Sequence, residues 1–140
     1  MDGTRIEYCL QQLKKDKVIS GSILSFKPET SNQLKYIIHQ YGIMMCALKI
    51  TDEWYKLDSE YRIKEKKNPK ILGGHCVLCC GYSLKGVYIQ NSWGFEKWGN
   101  YGFAIVPWNM WVKQIDNCVF IKNLKFNLTE TEKILNDRKC

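Results

Sequence analysis

Long apolar runs are missing from this 140-residue chain, which leaves no segment able to cross a bilayer as a helix. Its opening residues, Met1-Asp2-Gly3-Thr4-Arg5, carry no apolar stretch behind a basic start, so no export signal is expected. Histidine is scarce, with His39 and His75 alone. A metal or redox role for Cys79-Cys80 would need further ligands, so neither metal nor cofactor is expected. Seven cysteines is an odd count, which excludes complete internal pairing. Without an export signal the expectation is free thiols in a reducing, cytoplasmic compartment. The net charge of +7 comes with no nucleic-acid-binding module, and a nucleic-acid partner is not expected.

What is present fits one α+β unit, and a hydrophobic content of 45% is enough for a sizeable core. Thr4 and Glu7 have capping-box spacing, and Ile6, Cys9, Leu10 and Leu13 share one face of a helix over about residues 4–16. Val18 and Ile19 lead into a polar loop at Ser20-Gly21-Ser22. Thr30 and Gln33 open a second helix whose stripe is Leu34, Ile37, Ile38 and Tyr41, with Gly42 as its stop. His39 falls on the opposite, solvated side. Residues 43–50 read as a central strand, followed by the aromatic pair Trp54-Tyr55. Residues 101–106 read as a strand, Val119-Phe120-Ile121 as the last one, and Thr129-Glu130-Thr131-Glu132 as the start of a short polar helix.

The chemistry concentrates in Gly73-Gly74-His75-Cys76-Val77 and, sixteen residues after His75, in Asn91-Ser92-Trp93-Gly94. Cys76 to Cys80 form a buried-strand run, residues 81–86 carry the glycines and polar groups of a reversal, and Val87-Tyr88-Ile89 return. Antiparallel pairing across that turn makes His75 and Asn91 neighbours. An amide there can accept from one imidazole nitrogen, fixing the tautomer and leaving the other nitrogen to handle protons. Trp93 is positioned to cover the bond.

These residues resemble the papain-like cysteine peptidases, together with the second Trp98-Gly99 and the Tyr101-Gly102-Phe103 strand. The likeness runs from Leu34 to Trp111, about half the chain. It implies the right-hand domain of that fold, a small twisted antiparallel sheet or partial barrel with two N-terminal helices and a short C-terminal helix. It implies that His75 is the base, Asn91 its orienting group, and Trp93 and Trp98 the shield of the site. The strand ending near Ile50 and the aromatics after it would form a wall of the substrate cleft, so Trp54 and Tyr55 are candidate binding residues.

The family's nucleophile sits far upstream in a Cys-Gly-Ser-Cys-Trp type motif, with an oxyanion-hole glutamine a little before it. Neither motif occurs here, and only seventy-four residues precede His75. Residues 2–18 resemble a stretch downstream of that helix in bacterial members, which implies truncation on the N-terminal side. Cys9 is the candidate thiol well upstream, but its helical face marks it as a packing residue, whereas a reactive cysteine wants a helix N-terminus and a cationic neighbour. Cys76 adjoins His75 and points to the other side of its strand. Cys79 and Cys80 read as strand interior, and Cys118 follows an ordinary apolar pattern.

Arg62, Lys64, Lys66, Lys67 and Lys70 crowd the segment before the His75 motif. They form a basic loop able to steer an acidic partner, with Lys66 and Lys67 as candidate binding residues. Trp108, Met110 and Trp111 read as terminal packing. The expected organisation is one domain over 1–125 and a polar tail over 126–140. The expected function is that of a catalytically deficient papain-like domain acting through a protein or peptide partner, without membrane association. One alternative is the base-bearing portion of a peptidase whose nucleophile lies on another chain or upstream segment. The other is a structural or inhibitory protein using the basic loop or tryptophan cluster. An uncovered sheet edge favours a homodimer.

Overall fold

Alternating burial and two capping arrangements account for most of the architecture in the computed structural model, which describes residues 5–137. Along the chain the elements are α1 (Ile6–Lys15), β1 (Ile19–Phe26), α2 (Ser31–Tyr41), β2 (Met44–Thr51), a 3₁₀ turn (Asp52–Tyr55), β3 (Ile71–Tyr82), β4 (Gly86–Gln90), β5 (Phe103–Pro107), α3 (Trp108–Gln114), β6 (Ile115–Phe126) and α4 (Leu128–Asp137). The six strands form one sheet in the order β1-β6-β2-β3-β4-β5, with every neighbouring pair antiparallel. The sheet stays open, so the fold is a twisted sheet with helices on its faces and not a closed barrel.

Side chains alternate across the sheet and build two cores. On one face Met44, Cys46 and Leu48 of β2, Val77 and Cys79 of β3, and Val87 and Ile89 of β4 pack under Leu34 and Ile38 of α2 and Met110 and Trp111 of α3. On the other, Ile6 and Leu10 of α1 meet Val18, Ile19 and Val119, with Ile134 of α4 alongside. A fully buried aliphatic side chain such as Leu34 contributes about 1.5–3 kcal/mol of transfer free energy. Among the described residues, no helix is long and apolar enough to cross a membrane.

Helix α2 starts as its sequence requires. Thr30 Oγ1 accepts from the Gln33 N–H at 3.2 Å, and Gln33 Oε1 reaches back to the Glu29 N–H at 2.8 Å, one residue earlier than a standard capping box. Gly42 closes the helix by donating its N–H to Ile38 O at 2.8 Å. Tyr41 leaves the buried stripe and stacks, tilted, on Phe120 at 4.6 Å. For α1 the Thr4 half of the expected box lies outside the described residues. Its other half, Glu7, serves tertiary structure, accepting from Ser25 Oγ of β1 at 2.8 Å and from Asn117 Nδ2 of β6.

Two expectations are corrected. The supposed polar loop at Ser20-Gly21-Ser22 is the start of β1, paired to β6 with a bulge between Ser20 and Ser22. Gly21 has φ +130°, and a Cβ there would lie 2.8 Å from Lys122 O, so this glycine serves a bulge and not a reversal. The Trp108 cluster packs as expected, with Met110 and Trp111 in the core, on a helix, α3, too short to declare itself by periodicity. Cys9, expected on the packed face of α1, is exposed, because only Ile6 and Leu10 are buried. Helix α4 begins at Leu128, capped by Asn127 Oδ1 accepting from the Glu130 N–H at 3.2 Å.

Candidate active site

The β3–β4 hairpin sets Leu78 opposite Gln90, which leaves Asn91 one step beyond β4 and a diagonal step from His75. The Asn91 N–H is pinned to Gly102 O at 2.9 Å. From that anchor Asn91 Oδ1 stands 2.7 Å from His75 Nε2 and also accepts from the Ser92 N–H at 2.8 Å. Because the Ser92 N–H requires an acceptor, the amide oxygen is assigned to this position. An oxygen there requires the proton on Nε2, so Nδ1 of His75 carries the free lone pair. Asn91 is buried, and its Nδ2 has no hydrogen-bond partner among the described residues.

An aromatic cage holds the imidazole. Trp93 lies 4.9 Å from His75, ring centroid to centroid, at an interplanar angle of 31°, and Trp54 meets the same ring edge-on at 6.4 Å. Trp98 stacks on Trp54 at 6.2 Å and donates its indole N–H to Trp54 O at 2.6 Å. Tyr55 stacks on Trp93 at 5.0 Å and 2°, presenting an exposed ring beside the site. The conformation of Gly99, φ +63°, follows directly from this packing: a Cβ there would fall 2.3 Å from Phe103 O, so the turn after Trp98 admits only glycine.

The structure thus brings His75, Asn91, Trp93, Trp98, Trp54 and Tyr55 together. Trp54 is fully buried, which makes it a support of the site and leaves Tyr55 as the accessible member of the pair. Lys66 and Lys67 lie away from this cage. Lys66 Nζ pairs with Glu53 Oε1 at 3.5 Å, and both lysines line a separate pocket. The Glu53 carboxyl is held below its ordinary range chiefly by the Thr51 hydroxyl, with Lys66 assisting. His39 is exposed on α2.

No thiol among the described residues hydrogen-bonds to His75. Cys9 and Cys76 together line an apolar groove of about 440 Å³ between α1 and the sheet, on the face opposite His75. Burial raises the Cys76 thiol above its ordinary value, with Cys9 adding to the shift, the reverse of what an activated thiol needs. Cys46 and Cys118 face each other in the core, Sγ to Sγ 3.5 Å, and burial pushes Cys46 well up. Among the described residues, no group of three or more His, Cys, Asp or Glu side chains is placed to hold a metal ion.

One supporting residue escaped the sequence reading. Gln114 Oε1, at the end of α3, accepts the Trp54 indole N–H at 3.2 Å and so fixes the ring that abuts His75. Sixty positions separate the two, and no local pattern marks the glutamine.

Neither a protein-family model nor a curated protein matches the chain. Solved structures do. Xylellain, a cysteine protease from Xylella fastidiosa, is similar at a TM-score of 0.59 and 25% identity over 71% of this chain and 39% of its own. The procathepsin B S9 of Trypanosoma congolense is similar at 0.54 and 15% identity over 74% of this chain and 36% of that one. The chain therefore spans well under half the length of either protein. The fold is papain-like.

Proposed function

We propose that this papain-like domain is the base-bearing half of a cysteine-peptidase site, completed by a thiol from outside the described residues. The observation that carries the reading is the 2.7 Å bond from His75 Nε2 to Asn91 Oδ1, which commits one nitrogen to orientation and leaves Nδ1 for proton transfer. In this reading a thiol opposite Nδ1 gives its proton to the imidazole, and the thiolate attacks a peptide carbonyl carbon. The amine departs with the imidazolium proton, leaving a thioester. Water, deprotonated by the same nitrogen, then releases the acid. Asn91 holds the ring through each transfer, and Trp93 and Trp54 keep bulk water from the His75–Asn91 bond.

A second reading is favoured by where the thiols lie. With Cys9 and Cys76 on the far face, the domain acts through binding alone, engaging a protein or peptide across Tyr55, Trp93 and the idle histidine.

The test is a chimera in which the nucleophile-bearing segment of a papain-like protease is fused ahead of residue 1, assayed with a fluorogenic peptide and a peptidyl epoxide. The expected result is epoxide labelling of the added cysteine and peptide turnover, both reduced about 10²–10⁴-fold by His75→Ala. A folded chimera that neither labels nor turns over overturns the first reading and leaves the second.

A further inference from the structure

Beyond the His75 cage, a pocket of about 500 Å³ opens between the end of β2, the segment leading into β3, and α3. Four lysines line it, Lys49, Lys66, Lys67 and Lys113, against one lining carboxylate, Glu65. Two of the four are engaged elsewhere: Lys66 with Glu53 at 3.5 Å and Lys49 with Asp116 at 3.9 Å. Lys67 and Lys113 make no ion pair among the described residues and are exposed. Beneath them the pocket reaches Met110 and Gln114, each 7% exposed. The lining therefore combines unneutralised ammonium groups above with an apolar thioether and an amide below.

We infer that this pocket docks an acidic segment of a peptide or protein partner, its carboxylates on Lys67 and Lys113 and an apolar neighbour against Met110. The volume accommodates two or three side chains, and a half-open pocket with the apolar Met110 at its base suits alternating acidic and apolar residues. A nucleic-acid strand fits less well, since no aromatic ring among the lining residues offers a base a stacking surface. Glu65 also opposes a continuous polyanion.

The pocket is joined to the candidate active site by one hydrogen bond. Gln114 lines it and holds the Trp54 indole, whose edge rests on His75. A segment seated on Gln114 thus presses on the support of the base. The proposal rests on the reading of this chain as a peptide-engaging papain-like domain. It concerns binding only, so inactivity of the chimera described above leaves it standing.

The experiment uses the full chain and a fluorescein-labelled heptapeptide, Gly-Glu-Glu-Leu-Glu-Glu-Gly, followed by fluorescence anisotropy at low salt. Saturable binding is expected, weakened at least tenfold by the double reversal Lys67→Glu/Lys113→Glu. The double reversal Lys122→Glu/Lys125→Glu on β6 changes the net charge equally and is expected to leave binding within twofold. The bound peptide should also shift the Trp54 indole N–H resonance. Absence of binding overturns the proposal, as does an equal loss in both double variants, which would reduce the effect to overall charge. Displacement by an oligouridylate or by inorganic phosphate at the peptide's own concentration would assign the pocket to phosphate chemistry instead. Binding without movement of the Trp54 signal places the peptide elsewhere and equally overturns the assignment.

Discussion

Replacing Asn91 by alanine should leave the fold nearly as stable as before while releasing the histidine. The side-chain oxygen accepts from His75 Nε2 at 2.7 Å and from the Ser92 N–H at 2.8 Å. At a net value of about 0.5–1.5 kcal/mol per bond, losing both destabilises by about 1–3 kcal/mol. The same residue buries an Nδ2 without a partner among the described residues, and an unsatisfied buried donor costs about 1–3 kcal/mol, which the substitution removes. The two effects offset, so the net change should stay within about 1.5 kcal/mol, although Asn91 is among the buried polar residues. Leu34→Ala, at a fully buried aliphatic position, should by comparison cost about 2–5 kcal/mol. The assay is urea unfolding with the slope checked for constancy, alongside imidazole NMR, where the hydrogen-bonded Nε2 proton should disappear. A loss above about 3 kcal/mol for Asn91→Ala would refute the reasoning, because it would mean that Nδ2 is satisfied and the amide is a structural keystone.

Gly99→Ala should destabilise by about 3 kcal/mol, since the new Cβ would lie 2.3 Å from Phe103 O at φ +63°. Near-ultraviolet circular dichroism should lose the tryptophan signal, and an unchanged spectrum at full stability would contradict the turn geometry. Glu7 is held below its ordinary value of 4.5, first by backbone hydrogen bonding and then by Ser25. A carboxyl depressed in the folded state contributes stability that is present above the unfolded value and lost as pH falls through the folded one. Glu7→Gln should therefore flatten the acid limb of a stability–pH curve below about pH 4.5 and change nothing in its slope near neutrality, which acid titrations followed by far-ultraviolet dichroism will check. Alkylation of the native protein by iodoacetamide should modify exposed Cys9 well before buried Cys46, Cys79 and Cys118. Peptide mapping that found Cys46 first would contradict the core assignment.

The site was legible in the sequence because strand alternation and hairpin pairing are local rules. A run of five apolar residues, a glycine-bearing turn and a returning run fix the side of the sheet on which His75 and Asn91 meet, whatever surrounds them. Helix α2 was legible for the same reason, with Thr30, Gln33 and Gly42 all within one element. What escaped depends on partners distant in sequence. Ser20-Gly21-Ser22 has the composition of a turn, and only the ladder to β6, in which Ile23 faces Ile121, makes it a strand. Cys9 shares the helical face of Ile6 and Leu10, yet the sheet covers only the inner part of that face. Gln114 reaches the His75 site through Trp54, which the chain delivers in the 3₁₀ turn after β2.

The histidine is placed by this chain alone, and that bears on how a divided peptidase site could work. The position of His75 follows from its strand, its ring orientation from Asn91, and its shielding from Trp93 and Trp54, itself held by Gln114. All of these contacts come from within the described residues of this chain. Arrival of a thiol therefore requires no reorganisation of the base, only the loss of freedom entailed in bringing two bodies together. Pre-positioned groups of this kind reach effective molarities of about 10⁵–10⁸ M when covalently joined. Joining the halves in one polypeptide should consequently restore far more activity than mixing them, while His75→Ala and Asn91→Ala lower it in both arrangements. If mixed halves equalled the fused form, docking between them would have to be tight enough to replace the covalent link, and the search would move to the surface that provides it.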